Sequence, residues 1–80
     1  MHGTIIPNVM EILDPSGHTT TAWDPNNAAE VAAARAMFDA MTGKGYRAFH
    51  VGRRGQQAAR MDTFDPAAEQ MILVPQVAGG

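Results

Sequence analysis

Apolar and β-branched residues first gather in the run Thr4-Ile5-Ile6-Pro7-Asn8-Val9-Met10-Glu11-Ile12-Leu13. Pro7 has no backbone N–H to give to a sheet, so the first strand is placed after it, from Val9 to Leu13. Asp14-Pro15-Ser16-Gly17 then has the chemistry of a turn. Aspartate accepts from the backbone ahead, proline presets its φ, and glycine tolerates a left-handed exit. His18-Thr19-Thr20-Thr21-Ala22-Trp23 follows as a return strand, its threonines suited to a half-exposed pleat. Together these segments predict a hairpin.

The period then changes from two to about 3.6. Either Asp24 caps a helix with Pro25 at its first position, or Asn27 caps it with Glu30 completing a capping box. From Ala28 to Met41 the chain is rich in alanine, the strongest helix former. Val31, Ala34, Phe38 and Met41 recur at helical spacing as the buried stripe, with Met37 at its margin. Glu30, Arg35 and Asp39 fall on the wet side, where Arg35 and Asp39 are spaced to pair. Gly43 and Gly45 stop the helix, leaving Lys44 near its negative pole.

Tyr46-Arg47-Ala48-Phe49-His50-Val51 alternates again. Phe49 and Val51 are expected to face the core, with Tyr46, Ala48 and His50 opposite. Arg53-Arg54-Gly55-Gln56-Gln57 is a polar loop, and Ala59 to Phe64 is a weaker strand. Asp65-Pro66-Ala67-Ala68-Glu69 has room for a single turn. Met71-Ile72-Leu73-Val74 is apolar without alternation, which predicts a strand buried on both faces and central in the sheet. The sum is one α+β domain over residues 1–80, with about 1–7 and 76–80 as flexible ends.

Composition narrows the class. A chain of 80 residues with 45% hydrophobic content is globular in composition. With no cysteine it has no thiol nucleophile and no disulfide staple, which suits a reducing, cytoplasmic setting. No apolar run is long enough for a membrane span and no secretory leader is evident. The net charge is −2, yet all 6 Lys and Arg lie between Arg35 and Arg60. Five of them, Lys44, Arg47, Arg53, Arg54 and Arg60, share a stretch free of acids, a candidate docking patch for an acidic partner or for phosphates.

Catalytic chemistry is sparse. Ser16 is the sole serine and lacks a carboxylate at a spacing that would orient a triad with His18. Asp62, Asp65 and Glu69 cluster in sequence as acid–base groups can, but capping and solvated-turn roles for Asp65 and Glu69 are the simpler explanation. His2, His18 and His50 show no metal-ligand spacing, and Gly43-Lys44-Gly45 lacks the rest of a phosphate loop. No catalytic residue, metal or cofactor is therefore assigned, and the chain is expected not to be an enzyme by itself.

The end of the chain carries the strongest lead. Hairpin, helix, strand, weak strand, turn and central apolar strand follow in an order similar to the β-grasp fold of ubiquitin-like proteins. Val74-Pro75-Gln76-Val77-Ala78-Gly79-Gly80 resembles the ending of the small subunit of molybdopterin synthase and, less closely, of the thiazole sulfur carriers. The resemblance implies a non-catalytic carrier whose Gly80 carboxylate is adenylated by a partner activating enzyme, with Gly79 and Gly80 forming the reactive tail and Pro75 and Val77 guiding it. Glycine suits such a tail because it lacks Cβ and threads narrow channels. Two other readings stand beside it. One is a small structural or interaction protein of a phage or mobile element, located in the virion, whose glycines are merely tolerated at a loose terminus. The other is a nucleic-acid-associated module using the 44–60 basic stretch, with Tyr46, Phe49 or His50 stacking on bases.

Overall fold

A computed structural model describes residues 7–52 and 58–76. It contains β1 (Asn8–Asp14), β2 (Gly17–Trp23), α1 (Ala28–Gly43), β3 (Arg47–His50), β4 (Ala59–Met61) and β5 (Gln70–Val74). The strands form one mixed sheet in the order β2-β1-β5-β3-β4, and α1 covers one face of it. β1 and β2 pair antiparallel from Asn8↔Trp23 to Asp14↔Gly17. β5 runs parallel to β1 and antiparallel to β3, which in turn pairs antiparallel with β4. The structure is thus a small α+β fold with its last strand in the middle of the sheet, as the apolar run at 71–74 predicts. No helix among the described residues is long and apolar enough to cross a membrane.

The hairpin turn forms around Asp14, whose Oδ1 accepts from the Ser16 backbone N–H at 2.9 Å and from its hydroxyl at 2.7 Å. Gly17 leaves the turn at φ +143, a conformation side chains rarely adopt. Of the two caps the sequence allows for the helix, Asn27 is the one used: its Oδ1 accepts from the Glu30 N–H at 3.1 Å. Asp24 instead closes the turn before it, accepting from Asn26 and Asn27. Glu30 reaches back past the cap to the Asp24 N–H at 2.8 Å, so Asp24-Pro25-Asn26-Asn27 and the first helical turn form one unit. At the far end Tyr46 N–H donates to Met41 and Gly45 N–H to Thr42. With Gly45 at φ +101, this is a Schellman closure, and Lys44 is the C-cap.

The core is Met10, Ile12, Trp23, Ala34, Phe38, Ala48, Ala68, Met71 and Leu73, with Val31, Met37, Met41, Tyr46, Met61 and Phe64 packed around it. The helical stripe is as expected. The face of β3 is not: Ala48 is buried while Phe49 is half-buried on the opposite side. The cause is register. Met71 and Leu73 of β5 face the helix, so their β3 partners His50 and Ala48 do too, and Phe49 pairs with Ile72 on the other face.

Three further expectations are corrected. β5 is buried on one face, since Ile72 and Val74 are only partly covered; a single helix cannot shield both sides of a sheet. β4 stops at Met61 rather than reaching Phe64. Beyond it Phe64 turns inward to meet Trp23 at 5.3 Å and Phe38 at 5.8 Å between ring centroids. Arg35 lies with its guanidinium 5.7 Å over the Phe64 ring, and among the described residues the ion pair present is Arg60–Asp62, not Arg35–Asp39. The stacking position desolvates little and leaves the cation over an electron-rich face.

Residues 65–68 are tied down from below. Asn8 Nδ2 and Trp23 Nε1, cross-strand neighbours, both donate to the Pro66 carbonyl, at 3.0 and 3.1 Å. Asp65 accepts from the Ala67 and Ala68 N–H groups, which delivers the chain into β5 with Ala68 buried.

Candidate functional site

α1 covers one side of the sheet; among the described residues no element lies across the other side, where Glu11, Phe49, Ile72 and Val74 are half-buried, and its residues follow from the pairing. One row across it reads Thr20, Glu11, Ile72, Phe49, Arg60. Toward the C-terminal end of β5, Val74 sits opposite Arg47, and Leu13 is 38% exposed. Phe49, Ile72 and Val74 are therefore an apolar strip with Arg47 and Arg60 beside it. Glu11 on the other side accepts from Gln70 Nε2 at 3.0 Å. Arg60 also faces Asp62 at 3.9 Å, but both side chains are well exposed, so that pair holds the cation weakly.

The chain leaves the sheet at this strip. Arg47, Phe49, Val74, Pro75 and Gln76 line a groove of about 390 Å³, and the Gln76 side chain extends toward Gly45. Pro75, assigned to guide the tail, thus stands at the edge of the apolar strip. Val77, Gly79 and Gly80, the remainder of that assignment, lie outside the described residues, as do Arg53 and Arg54. Of the five docking cations, Arg47 and Arg60 are brought together around Phe49. Lys44 is placed apart, at the helix C-cap. The sequence reading missed Ile72 and Val74 as surface residues, because an apolar run without alternation looks the same whether its second face meets protein or solvent.

A second depression, about 320 Å³, lies between the hairpin turn and the end of α1, lined in part by Asp14, Ser16, His18, Met41 and Tyr46. Here the structure supplies the carboxylate that spacing did not predict near Ser16, together with the Tyr46 hydroxyl donating to Asp14 Oδ2 at 3.2 Å. The Ser16 N–H, the Ser16 hydroxyl and the Tyr46 hydroxyl hold the Asp14 carboxyl below its ordinary value. Desolvation, then the bond to Asp14 and its charge, push Tyr46 up. The Ser16 hydroxyl is committed to the turn rather than to His18. Among the described residues no group of three or more His, Asp and Glu converges as for a metal ion.

Comparison of the chain with family models, with curated proteins and with solved structures gives no match.

Proposed function

We propose that this chain is a non-catalytic, ubiquitin-like carrier of the β-grasp type, activated at Gly80 by a partner adenylating enzyme. The observation that carries the reading is the position of β5. It lies between β1 and β3, so the segment from Val74 and Pro75 toward Gly79-Gly80 starts from the strand held on both edges. A hairpin, one helix across one face and a central C-terminal strand are what a β-grasp domain requires.

The chemistry follows from the carboxylate. The Gly80 carboxylate would attack the α-phosphate of ATP, releasing pyrophosphate and leaving an acyl adenylate. A sulfur donor, or a thiol or amine of another protein, would then displace AMP. None of these steps needs a base on this chain. The partner would meet the apolar strip Phe49, Ile72 and Val74, with Arg47 and Arg60 steering an acidic surface toward it.

The protein should support ATP–pyrophosphate exchange by an adenylating enzyme of its own host, and a chain ending at Ala78 should not. Absence of exchange with every such enzyme, or equal exchange with the shortened chain, rules the proposal out. The partly exposed apolar strip also favours a second reading, a structural or interaction component of an assembly; that protein would copurify with particles and be indifferent to loss of Gly79 and Gly80.

A further inference from the structure

The two edges of the sheet are finished differently. β4 is short, Ala59–Met61, and carries Arg60; brevity and a cation both discourage another strand from adding. β2, at the other edge, runs Gly17–Trp23 with the sequence GHTTTAW, which contains no proline and no Lys, Arg, Asp or Glu. Its register with β1 is unbroken, so no bulge bends it away. Gly17, His18, Thr19, Thr20 and Ala22 are exposed, and among the described residues no segment pairs with its outer side.

The direction of its backbone groups can be derived. Val9 N–H donates to Glu69 of the segment entering β5, so the odd residues of β1 address β5 and the even ones address β2. The partners of those even residues are Gly17, Thr19, Thr21 and Trp23, which therefore turn inward. His18, Thr20 and Ala22 present their N–H and C=O groups outward, away from β1, where no strand among the described residues takes them up.

We propose that the chain forms a two-fold dimer by antiparallel pairing of β2 with β2 of a second copy, centred on Thr20. Thr20 then lies opposite Thr20 of the partner subunit, and His18 opposite Ala22 of the partner subunit. Every outward group finds a partner, in about six hydrogen bonds. On the helix side Thr19 meets Thr21 of the partner subunit. Threonine cross-strand pairs are favourable, and no like charges are set against one another. The contact uses the same patch on both copies and so closes on itself. The strand that fits this edge best, uncharged and equal in length, is the edge itself. Edge pairing alone buries less than a standard interface, which puts the dimer at the weak end of the affinity range. β1 separates β2 from β5, so the dimer leaves the Pro75 end uncovered, and the inference stands independently of the carrier reading.

Sedimentation across about 1 μM to 1 mM spans the relevant affinities. The wild-type chain should shift from monomer to dimer within that range. Thr20→Lys places two cations face to face, and Thr20→Pro removes an outward N–H that β1 does not use; each should weaken association at least about tenfold, a change readable as a shift of the midpoint. Circular dichroism checks that each variant folds, and Thr20→Lys suffices should the proline perturb the strand. Amide exchange adds a second readout: His18, Thr20 and Ala22 should slow as concentration rises, with Thr19 and Thr21 unchanged. A wild-type chain that stays monomeric at every concentration overturns the proposal, as does a dimer that Thr20→Lys leaves intact.

Discussion

At the scale of single residues, Asp14 joins parts of the chain that sequence keeps far apart. Its carboxylate organises the hairpin turn through Ser16 and meets Tyr46, 32 positions away, just past the helix. Asp14 has a folded pKa below the ordinary 3.8. Its contribution to stability is therefore complete above the unfolded value and lost as pH falls through the folded one. Tyr46 is the mirror case: with its pKa above 10.0, its contribution holds at lower pH and fades as pH rises through the folded value. Thermal melts between about pH 5 and pH 2 should show Asp14→Asn losing less stability on acidification than the wild-type chain. Tyr46→Phe, which keeps both Ser16 contacts, should change that slope less. Equal slopes for all three proteins would contradict this role for Asp14. The turn was legible from Asp14-Pro15-Ser16-Gly17, whereas the tyrosine contact had no local signature. Phe49 shows the same limit: alternation revealed that Ala48 and Phe49 face opposite ways, but only pairing with β5 decided which way was inward.

At the scale of elements, legibility tracked how local the determinants are. The hairpin and the helix were readable because turn residues, caps and the 3.6-residue stripe all lie within their own segments. The two ends of α1 follow from Asn27 with Glu30 and from Gly45. Replacing Asn27 by alanine should cost about 1 kcal/mol in urea unfolding, and Asn27→Asp should recover most of it. A null effect would mean that the turn closed by Asp24 holds the helix start by itself. β4 is shorter than its sequence suggests because Phe64 has strand-forming character yet is drawn toward Trp23 and Phe38. Its place in the core is a tertiary preference, and no local pattern encodes it. The apolar run of β5 points to the centre of the sheet, where the strand lies, but it does not distinguish a second face in the core from the half-buried one observed.

At the scale of the whole molecule, the described residues place one helix on one side of five strands, which leaves a face and an edge to be explained. The face holds Phe49, Ile72 and Val74 with Arg47 and Arg60 along one side, and it leads to Pro75. The edge is β2, whose outward backbone groups meet no strand among the described residues. The proposed carrier would need a firmly held last strand, a surface for its activating enzyme and a terminus that chemistry can reach; β5 at the sheet centre suits the first, and the apolar strip is the surface proposed for the second. The third rests on Gly79 and Gly80, beyond the residues whose packing is described. Mass spectrometry of the C-terminal peptide, taken from protein isolated from its own host, tests it most directly. The account predicts a fraction in which one terminal oxygen is replaced by sulfur, or a branched peptide joining Gly80 to another protein. An intact, unmodified carboxylate in every fraction would contradict it.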